Sequence, residues 1–419
     1  MKLTLFSTTT VATVGMILTA ISCNTATVNS TPDTNTPSEL RVSAPFADQT
    51  NQFAFDLAKQ VNAEEGQAKN VFISPLSLHI ALGMIMNGAN GQTAQEIQKT
   101  LHLDSQTLAE ANATYKNLMT NLPKADPKVT LTLANSVWYR NTFSVENSFQ
   151  DLLKQTFNAE VSAQDFTNPS TVGAINNWAS QQTNGKIPKV IDQIQPDNVM
   201  FLLNALYFKG DWQTRFDATK TIDSPFKLAT DATINVRMMR LNSKLNRAFR
   251  ATYTAFELPY GAARTDGPGY VMTVLLPAES TTADAVINNM TSAEWAQLQK
   301  DMTMGMVDIG LPKFTLSYEI NLNKALTTMG MPTAFTDRAD FTKINSKGGL
   351  TLSFVKQNTF VAVDEQGTEA AAVTTGGVST TSVQLPTLCD RPFVFVIHEK
   401  STGTVLFVGK IADPTKASS

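Results

Sequence analysis

The side chains most able to do chemistry in this sequence are few and widely spaced. The chain contains three histidines, His79, His102 and His398, and two cysteines, Cys23 and Cys389. No HExxH or CxxC motif gives them metal-ligand spacing, and the sequence has no GxSxG elbow and no P-loop. We therefore expect no metal site and no cofactor, and core or surface roles for all three histidines.

One enzymatic pattern does occur. The SxxK motif of penicillin-recognising enzymes matches at Ser224 to Lys227 and at Ser353 to Lys356, and "KSTG" begins at Lys400. Nucleophilic catalysis by this motif needs the serine at the start of a helix, because the lysine one turn later then reaches the serine hydroxyl. Ser224 opens an extended stretch, and Ser353 is expected in a strand, where a three-residue offset puts side chains on opposite faces. "KSTG" fits a hairpin turn better. The sequence therefore predicts that the protein is not an enzyme.

The totals fit a globular protein with a large core. The chain has 419 residues, of which 42% are hydrophobic and 16% charged, and its formal net charge is -3. Such a length allows two to three ordinary domains or one large one. A mildly acidic chain lacks the basic face that nucleic-acid binding needs, which argues against that function. The composition is even from about Pro45, without a second linker or a repeat, and predicts a single domain over 45–419.

The first residues have the layout of a bacterial export signal over 1–23. "MKLTLFSTTTVATVGMILTAISCN" is too short and too Thr-rich for a good membrane-spanning helix. Cys23 after "AIS" resembles a lipid-acceptor cysteine, although Ala20 stands where a larger aliphatic residue is usual. The alternative is plain cleavage and free secretion. Either way we expect an exported protein, extracellular or periplasmic, whose only membrane contact would be a lipid anchor.

A polar segment, 24–44, follows and is predicted to be a flexible tether because its Thr, Pro and Asn residues have nothing to bury. If Cys23 is removed or lipidated, Cys389 has no partner within the chain. A half-buried, small apolar role is expected for Cys389 rather than that of a reactive thiol.

Local patterns predict an α+β fold. Ser74 as N-cap and Pro75 at the first helical position begin a helix that ends at Gly88. Thr93 and Glu96 have the spacing of a capping box at the start of the next helix. Helices dominate the first half of the chain, and strands and helices mix in the second. The runs of strand length are "SVWYR", "MFLLNALYF", "YVMTVLLP", "MVDIGLPKF" and "NTFVAV".

A long stretch of small residues, Glu365 to Ser382, separates a strand-like run from a C-terminal hairpin. It reads "EQGTEAAAVTTGGVSTTS" and contains no proline. Gly367 gives a hinge with free backbone choice. In a strand the alternate positions after it would share one face and could enter a sheet without overfilling the core. They are Thr368, Ala370, Ala372, Thr374, Gly376 and Val378. The residues alone leave this reading open beside that of a disordered loop.

The chain resembles the serpins, the family of serine protease inhibitors, over roughly Phe46 to Pro414. The motifs that carry the resemblance occur in the family's order. They are "NVFISPLSLHIALGMIMNGANGQTAQEI", "INNWASQQTNGKIPKVI", "FLLNALYFKGDWQTRF", "ELPYG", "VDIGLPKFTLSYEINLNKALTTMGM", "EQGTEAAAVT" and "DRPFVFVIHEKSTGTVLFVGKIADP".

The resemblance implies three β-sheets surrounded by about eight or nine helices, with an exposed reactive-centre loop at about 365–385. A serine protease cleaves this bait loop and forms an acyl-enzyme, and the loop then inserts into the central sheet and distorts the trapped protease. A monomeric suicide substrate is expected. The hinge and insertion residues are Glu365, Gly367, Thr368, Glu369, Ala370, Ala371, Ala372 and Thr374.

Counting along the family pattern places the reactive bond at Thr381-Ser382. A small, uncharged residue at this position suits elastase-like or subtilisin-like proteases, since trypsin-like pockets require Lys or Arg. Cleavage at Thr380 or Val383 and a cysteine protease target are alternatives. Neither Lys nor Arg occurs between Glu365 and Asp390.

Further positions match the family's sheet-opening region. Ser74, Ser77 and Asn204 correspond to a polar cluster beneath the opening, and Trp212 to the tryptophan where insertion begins. Gln357 replaces the usual histidine. Because glutamine does not ionise, pH sensitivity arising at this position should be absent.

The alternative function is that of a non-inhibitory serpin acting as a binding or carrier protein. Such members typically have charged residues, prolines or large side chains in the hinge, whereas this hinge consists mainly of small residues. Its basic residues are scattered along the chain, and no helix face is loaded with Lys and Arg as a heparin site would be.

Overall fold

Fifteen β-strands and nine α-helices are formed by the residues that the computed structural model describes, which are 40–262, 267–368 and 386–417. The α-helices are α1 Ala44–Glu65, α2 Pro75–Gly88, α3 Gly91–Thr100, α4 Leu108–Asn121, α5 Asn147–Phe157, α6 Ser170–Gln182, α7 Ala283–Asn289, α8 Ser292–Asp301 and α9 Asn323–Met329. Three short 3-10 helices lie at Leu122–Lys124, Ala218–Lys220 and Thr333–Phe335. None of the helices in these ranges is long and apolar enough to cross a membrane.

The strands follow one another between the helices. They are β1 Val71–Ile73, β2 Val129–Arg140, β3 Glu160–Gln164, β4 Met200–Asp211, β5 Ile222–Lys227, β6 Thr233–Phe249, β7 Tyr253–Pro259, β8 Tyr270–Pro277, β9 Thr303–Pro312, β10 Phe314–Asn321, β11 Lys356–Val363, β12 Gly367–Thr368, β13 Thr387–Leu388, β14 Phe393–Glu399 and β15 Val405–Ile411. Each predicted strand run lies in one or two of these elements, as the β-rich composition indicated.

Six strands form one sheet, in the order β10-β11-β12-β4-β2-β3. The other nine strands form a second sheet that is connected through β6, whose 17 residues take part in three ladders. One end of β6 pairs with β7 and leads through β8, β14 and β15 to β1, while the rest pairs with β5 and β9. The α+β architecture and the helix number agree with the prediction, with two of the three predicted sheets joined along β6.

The main hydrophobic core lies between the two sheets and the first helices. Strand β11 alternates between buried and half-buried side chains, and Val361 and Val363 enter the core. A second cluster covers the opposite face of the six-stranded sheet, where Trp178 of α6 packs against Trp138 and Phe201. The six-stranded sheet is therefore covered on both faces, and a strand added to it would be covered too.

The predicted capping box at Thr93 and Glu96 is wrong. Helix α3 begins at Gly91 with Asn90 as its N-cap residue, so Thr93 lies inside the helix. The Thr93 hydroxyl accepts the backbone N–H of Asp340 at 2.9 Å, and Glu96 accepts the N–H of Thr333 at 2.8 Å. The local pattern assigned the side chains of Thr93 and Glu96 to the helix end. Both side chains instead accept hydrogen bonds from a later segment of the chain.

Three further expectations change. Residue Ala44, assigned to the tether, belongs to α1, and Leu40 and Val42 pack against the core, so the folded part begins before residue 45. Ser353 precedes β11 and is not in a strand.

Cys389, expected to be half-buried, is fully buried as a free thiol. The backbone N–H of Cys389 pairs with the Gly310 carbonyl, which draws the residue under the edge of β9.

Two buried histidines should make the fold sensitive to acid. His79 contacts the Leu101 carbonyl and the Tyr115 hydroxyl, and His398 contacts the Thr273 hydroxyl, each at 3.0–3.1 Å. Burial lowers the pKa of both from 6.5 to about 4. The native state therefore binds fewer protons than the unfolded state between these values. Their stabilising contribution, present above pH 6.5, is lost as the pH falls towards 4.

We expect the free energy of unfolding to fall by up to about 2.7 kcal/mol per pH unit across that window, about 1.4 for each histidine. Urea unfolding of the native protein at a series of pH values between 7.5 and 4 measures this slope. His398→Gln should reduce it, whereas His102→Gln, at a partly exposed site, serves as the control. Equal slopes in all three proteins would contradict the assignment.

Candidate functional site: the hinge and the sheet-opening region

Strands β4 and β11 stand on either side of the two-residue strand β12. Strand β4 pairs along its other edge with β2, and β11 pairs along its other edge with β10. Towards each other, they pair only with β12, through Asp211 and Gly210 of β4 and Val363 of β11. No other described residue pairs with these facing edges. Because β12 is antiparallel to both, β4 and β11 run parallel, and an extension of β12 is the strand that fits between them.

A tight turn connects β11 to β12. Asp364 donates its backbone N–H to the Gly367 carbonyl at 3.0 Å, and its carboxylate accepts the N–H of Gln366 at 2.9 Å. The Gln366 carbonyl accepts the N–H of Trp212 at 2.7 Å, and the Glu365 carbonyl accepts an N–H from the same connection after β4. The hinge is thus fixed by backbone hydrogen bonds on both sides.

Gly367 is required by the close approach of β4. A Cβ atom on this residue would lie 2.1 Å from the Gly210 carbonyl oxygen, which is a severe overlap with backbone. The residue does not have the positive φ that only glycine adopts readily. The sequence argument assigned Gly367 to backbone freedom, and the structure adds the absence of a side chain as the reason for glycine here.

Thr368 is held by a pair of stacked aromatic rings. Its hydroxyl is 2.7 Å from the Tyr260 hydroxyl, and Thr368 is buried. Tyr260 stacks on Trp212 with ring centroids 4.4 Å apart and an interplanar angle of 20°. The Trp212 indole N–H donates to the Asp364 carbonyl at 2.9 Å. Trp212 therefore lies where β12 enters the sheet.

Glu365 ties the turn to the edge of the nine-stranded sheet. Its carboxylate lies 2.7 Å from the Lys313 ammonium and accepts the Thr221 hydroxyl at 2.8 Å. Burial alone would raise the pKa of this carboxyl, but the hydrogen bonds from Lys313 and Thr221 outweigh burial and hold the pKa below its ordinary value. Glu365 is therefore ionised at neutral pH and restrains the hinge electrostatically.

Gln357 fastens the far end of β11 to the start of α2. The backbone N–H of Ser74 donates to Gln357 Oε1, and Gln357 Nε2 donates to the Ser74 carbonyl, both at 2.9 Å. The Ser74 hydroxyl donates to the Leu406 carbonyl at 3.0 Å and makes no capping hydrogen bond, so the expected side-chain cap is absent. One amide side chain thus satisfies the Ser74 N–H, which the helix leaves unpaired, and adds a second donor to the Ser74 carbonyl, which also accepts the N–H of Leu78 at 3.2 Å.

Asn204 faces the same region from β4. Its amide nitrogen donates to Asn135 Oδ1 at 2.6 Å, and Asn135 donates to the Phe157 carbonyl at 3.0 Å. Asn204 Oδ1 is buried and has no hydrogen-bond partner among the described residues. A buried acceptor without a donor typically costs about 1–3 kcal/mol, so this atom is suited to receive one. Ser77 is also buried.

The structure thus separates the proposed residues into two groups. Glu365, Gly367, Thr368 and Trp212 meet at the entry between β4 and β11. The second group lies farther from the entry and consists of Asn204 on β4, Gln357 on β11 and Ser74 at the start of α2. Ser77 is buried in α2. The other candidates lie outside the described residues, and these are Cys23, Glu369, Ala370, Ala371, Ala372, Thr374, Thr381 and Ser382.

Sequence reasoning missed several partners of the hinge. Tyr260 and Lys313 stand in motifs that were recognised, "ELPYG" and "GLPKF", but no spacing links them to residues more than fifty positions later. No motif or spacing in the sequence pointed to Thr221 or Asn135. Only the three-dimensional contacts identify them.

Comparison with known proteins agrees with this geometry. A family model described as serpin (serine protease inhibitor) matches residues 48–414. The leukocyte elastase inhibitor of Sus scrofa is 32% identical over 379 residues, which cover 87% of this chain and 98% of that protein. Serpin B4 of Homo sapiens is 32% identical over 395 residues, which cover 88% and 99%.

Solved structures show the same fold. The native state of the thermophilic serpin tengpin aligns with a TM-score of 0.81 at 30% identity, covering 90% of this chain and 96% of that one. Human thyroxine-binding globulin aligns with a TM-score of 0.81 at 28% identity, covering 89% and 100%. The similarity extends over nearly all of each structure.

Gln357 makes a prediction about pH. In Gln357→His the imidazole cannot serve both backbone groups of Ser74 as the amide does, and because position 357 is buried, the unfolded chain binds the proton of this histidine before the folded one as the pH falls below 6.5. We expect the free energy of unfolding of this variant to fall, relative to the wild type, by roughly 1–3 kcal/mol between pH 8 and pH 5.5. Urea unfolding at both pH values measures the difference.

Gln357→Leu is the matched control. It removes both hydrogen bonds and should be less stable than the wild type by a similar amount at both pH values. A histidine variant whose difference from the wild type does not change with pH would contradict the role of this amide.

Proposed function

The chain belongs to the serpin family, and on that premise we propose that it inhibits serine endopeptidases as a suicide substrate. The protease cleaves the loop at about 365–385 and becomes an acyl-enzyme, and the loop then extends β12 between β4 and β11. The observation that carries the proposal is the pair of facing edges of β4 and β11, which only Gly367 and Thr368 enter among the described residues.

The register of β12 defines the inserted strand. Thr368 lies opposite Gly210 and Val363, and continuing both ladders brings Val378 opposite Met200, the first residue of β4. Residues 367–378 would thus cover β4 from end to end. The even-numbered residues would share the buried face of Thr368, and all are small or β-branched. The segment thus meets the space and the length that insertion requires.

The same register makes Thr374 a specific partner. It would lie opposite Asn204 on one side and Gln357 on the other. A threonine hydroxyl there can donate to the buried Asn204 Oδ1, which has no other partner among the described residues. Insertion would thereby remove an unfavourable buried polar atom in addition to forming strand hydrogen bonds on both edges.

Insertion supplies both displacement and driving force. Twelve residues of strand span about 40 Å, so an acyl-linked protease would be carried from one end of the sheet to the other. Backbone pairing along two edges and burial of the small side chains favour the inserted state. Inhibition requires this movement to be faster than hydrolysis of the acyl-enzyme.

The reactive bond proposed is Thr381-Ser382, three residues beyond the inserted segment. A small uncharged residue favours elastase-like or subtilisin-like proteases as targets, with a cysteine protease as an alternative. Similarity to proteins named leukocyte elastase inhibitor supports the first choice. The protein would act as a monomer that forms a covalent 1:1 complex.

The second candidate is a non-inhibitory binding or carrier protein. Structural similarity to thyroxine-binding globulin, whose name describes a hormone carrier, is the observation that favours it. Under that function the loop would be cleaved without trapping the protease.

We also propose that the protein is exported through the signal at 1–23 and is either lipidated at Cys23 or released. Mass spectrometry of the mature N-terminal peptide distinguishes a diacylglyceryl cysteine from a plain cleavage product. A retained Met1 would contradict export.

A denaturing gel tests inhibition directly. After mixing with an elastase-like protease, we expect a band at the combined mass of protease and inhibitor, and a released peptide that begins at Ser382. Ala372→Pro should abolish this band and leave cleavage intact, because proline cannot donate to the strand ladder. Ala372→Ser is the matched control and should still trap.

Complete cleavage of the wild type with full residual protease activity would exclude inhibition of that protease. If subtilisin-like proteases give the same result, the binding or carrier function becomes the better account. A Pro variant that traps as well as the Ser variant would exclude insertion as the mechanism.

Thr374 provides a finer test of the register. Cleaving the loop should raise the temperature of thermal unfolding, and Thr374→Val should reduce that gain because Asn204 Oδ1 stays unpaired. A loss of about 1–3 kcal/mol is expected in the cleaved protein only. Thr374→Ser keeps the hydroxyl and should behave nearly as the wild type. Equal effects in intact and cleaved protein would contradict the register.

A further inference from the structure

A cavity of about 390 Å³ opens beside the hinge, on the far side of Tyr260. Its described lining comes from the ends of β7 and β8, from β6 and β9, and from the residue after β14. The residues that matter are Asn246, Glu257, Tyr260, Tyr270, Met304 and Lys400. Glu257 takes no part in the proposed insertion mechanism.

Glu257 of the "ELPYG" motif is the innermost charge. Only 6% of this residue is exposed, and Asn246 Nδ2 donates to its Oε2 at 2.8 Å. This is the one hydrogen bond that the described residues provide to the carboxylate. Burial raises the pKa of Glu257, and the hydrogen bond from Asn246 and the charge of Lys400 offset the burial only in part. A buried carboxylate with so few donors is costly unless a further group pairs with it.

The second carboxylate in the lining is already satisfied. Asp126 accepts the backbone N–H of Ala262 at 3.0 Å and that of Lys128 at 2.8 Å. Gly261 permits this contact, because its φ is +73° and a Cβ there would lie 2.4 Å from Asp126 Oδ2. Glu257 is therefore the carboxylate of this cavity that has room for another donor.

The walls around Glu257 are mostly carbon. The Tyr260 hydroxyl is engaged with Thr368, and the Tyr270 hydroxyl donates to the Leu122 carbonyl, so these two buried residues line the cavity without a free hydroxyl. Met304 lies at the mouth with 65% of its surface exposed. A largely apolar wall beside one buried carboxylate suits an organic cation.

We propose that this cavity binds a small organic cation, whose ammonium or amidinium group donates to Glu257 and whose apolar body packs on Tyr260 and Met304. The bound cation supplies the donor that Glu257 lacks. Because Tyr260 also holds Thr368 and stacks on Trp212, occupancy restrains the hinge. The consequence for function, slower loop insertion, rests on the proposed inhibitory mechanism, but binding does not.

Titration calorimetry on the full chain tests binding independently of inhibition. Benzylamine, benzyl alcohol and benzoate share one ring and differ in charge. We expect saturable binding of benzylamine, with benzyl alcohol and benzoate at least tenfold weaker. Glu257→Gln should weaken benzylamine at least tenfold. Glu319→Gln, which removes a carboxylate ion-paired with Lys356 elsewhere, should leave it unchanged.

Met304→Lys gives a second test if Glu257→Gln does not fold. An added positive charge at the exposed mouth should weaken benzylamine at least tenfold. Absence of saturable benzylamine binding, equal binding of benzoate, or unchanged affinity in the Met304→Lys protein would overturn the proposal.

The link to the hinge has its own readout. Benzylamine should change the tryptophan emission of the wild type, and Trp212→Phe should abolish that change. An emission change that persists in Trp212→Phe would overturn the coupling between the cavity and the hinge. The proposed binding site would not be affected by that result. Failure to trap proteases would overturn the proposed function without affecting either result.

Discussion

The arrangement of β4 and β11 is the constraint on which the rest of this structure depends. The two strands are parallel neighbours, and β12 lies between them only at one end, where it supplies two paired residues to edges that are twelve and eight residues long. An unpaired strand edge is a strong template for another strand. Here the edges face each other inside a sheet that is covered on both faces, so a strand of matching length from the same chain is the natural occupant.

Side-chain contacts hold this sheet in its present state. At the entry, Glu365 is fixed by Lys313 and Thr221, and Thr368 by Tyr260. Farther along, Gln357 joins β11 to α2 through the backbone of Ser74. The entry contacts fix the register of β12, whereas the Gln357 contact fastens β11 to the start of α2. The balance between nucleating insertion and resisting it would set the rate at which a cleaved loop enters.

The sequence allowed the strands and the class of fold to be predicted, because periodicity and ordered motifs are local signals. The capping box at Thr93 and Glu96 failed because tertiary hydrogen bonds from Asp340 and Thr333 used both side chains. Tyr260, Thr221 and Asn135 could not be assigned to the site, since their partners are distant in sequence. The sequence argument for Gly367 rested on backbone freedom alone, because the nearby carbonyl of Gly210 is visible only in three dimensions.

Hydrogen exchange before and after loop cleavage tests the central claim most directly. The account predicts that cutting the loop increases the protection of one set of backbone amides at least tenfold. These are the amides on the facing edges of β4 and β11, within 200–209 and 356–362, that would pair with the inserted strand. Amides on the opposite edges, paired with β2 and β10, should change little. Unchanged exchange along both facing edges after complete cleavage would show that the loop does not enter the sheet and would contradict the account.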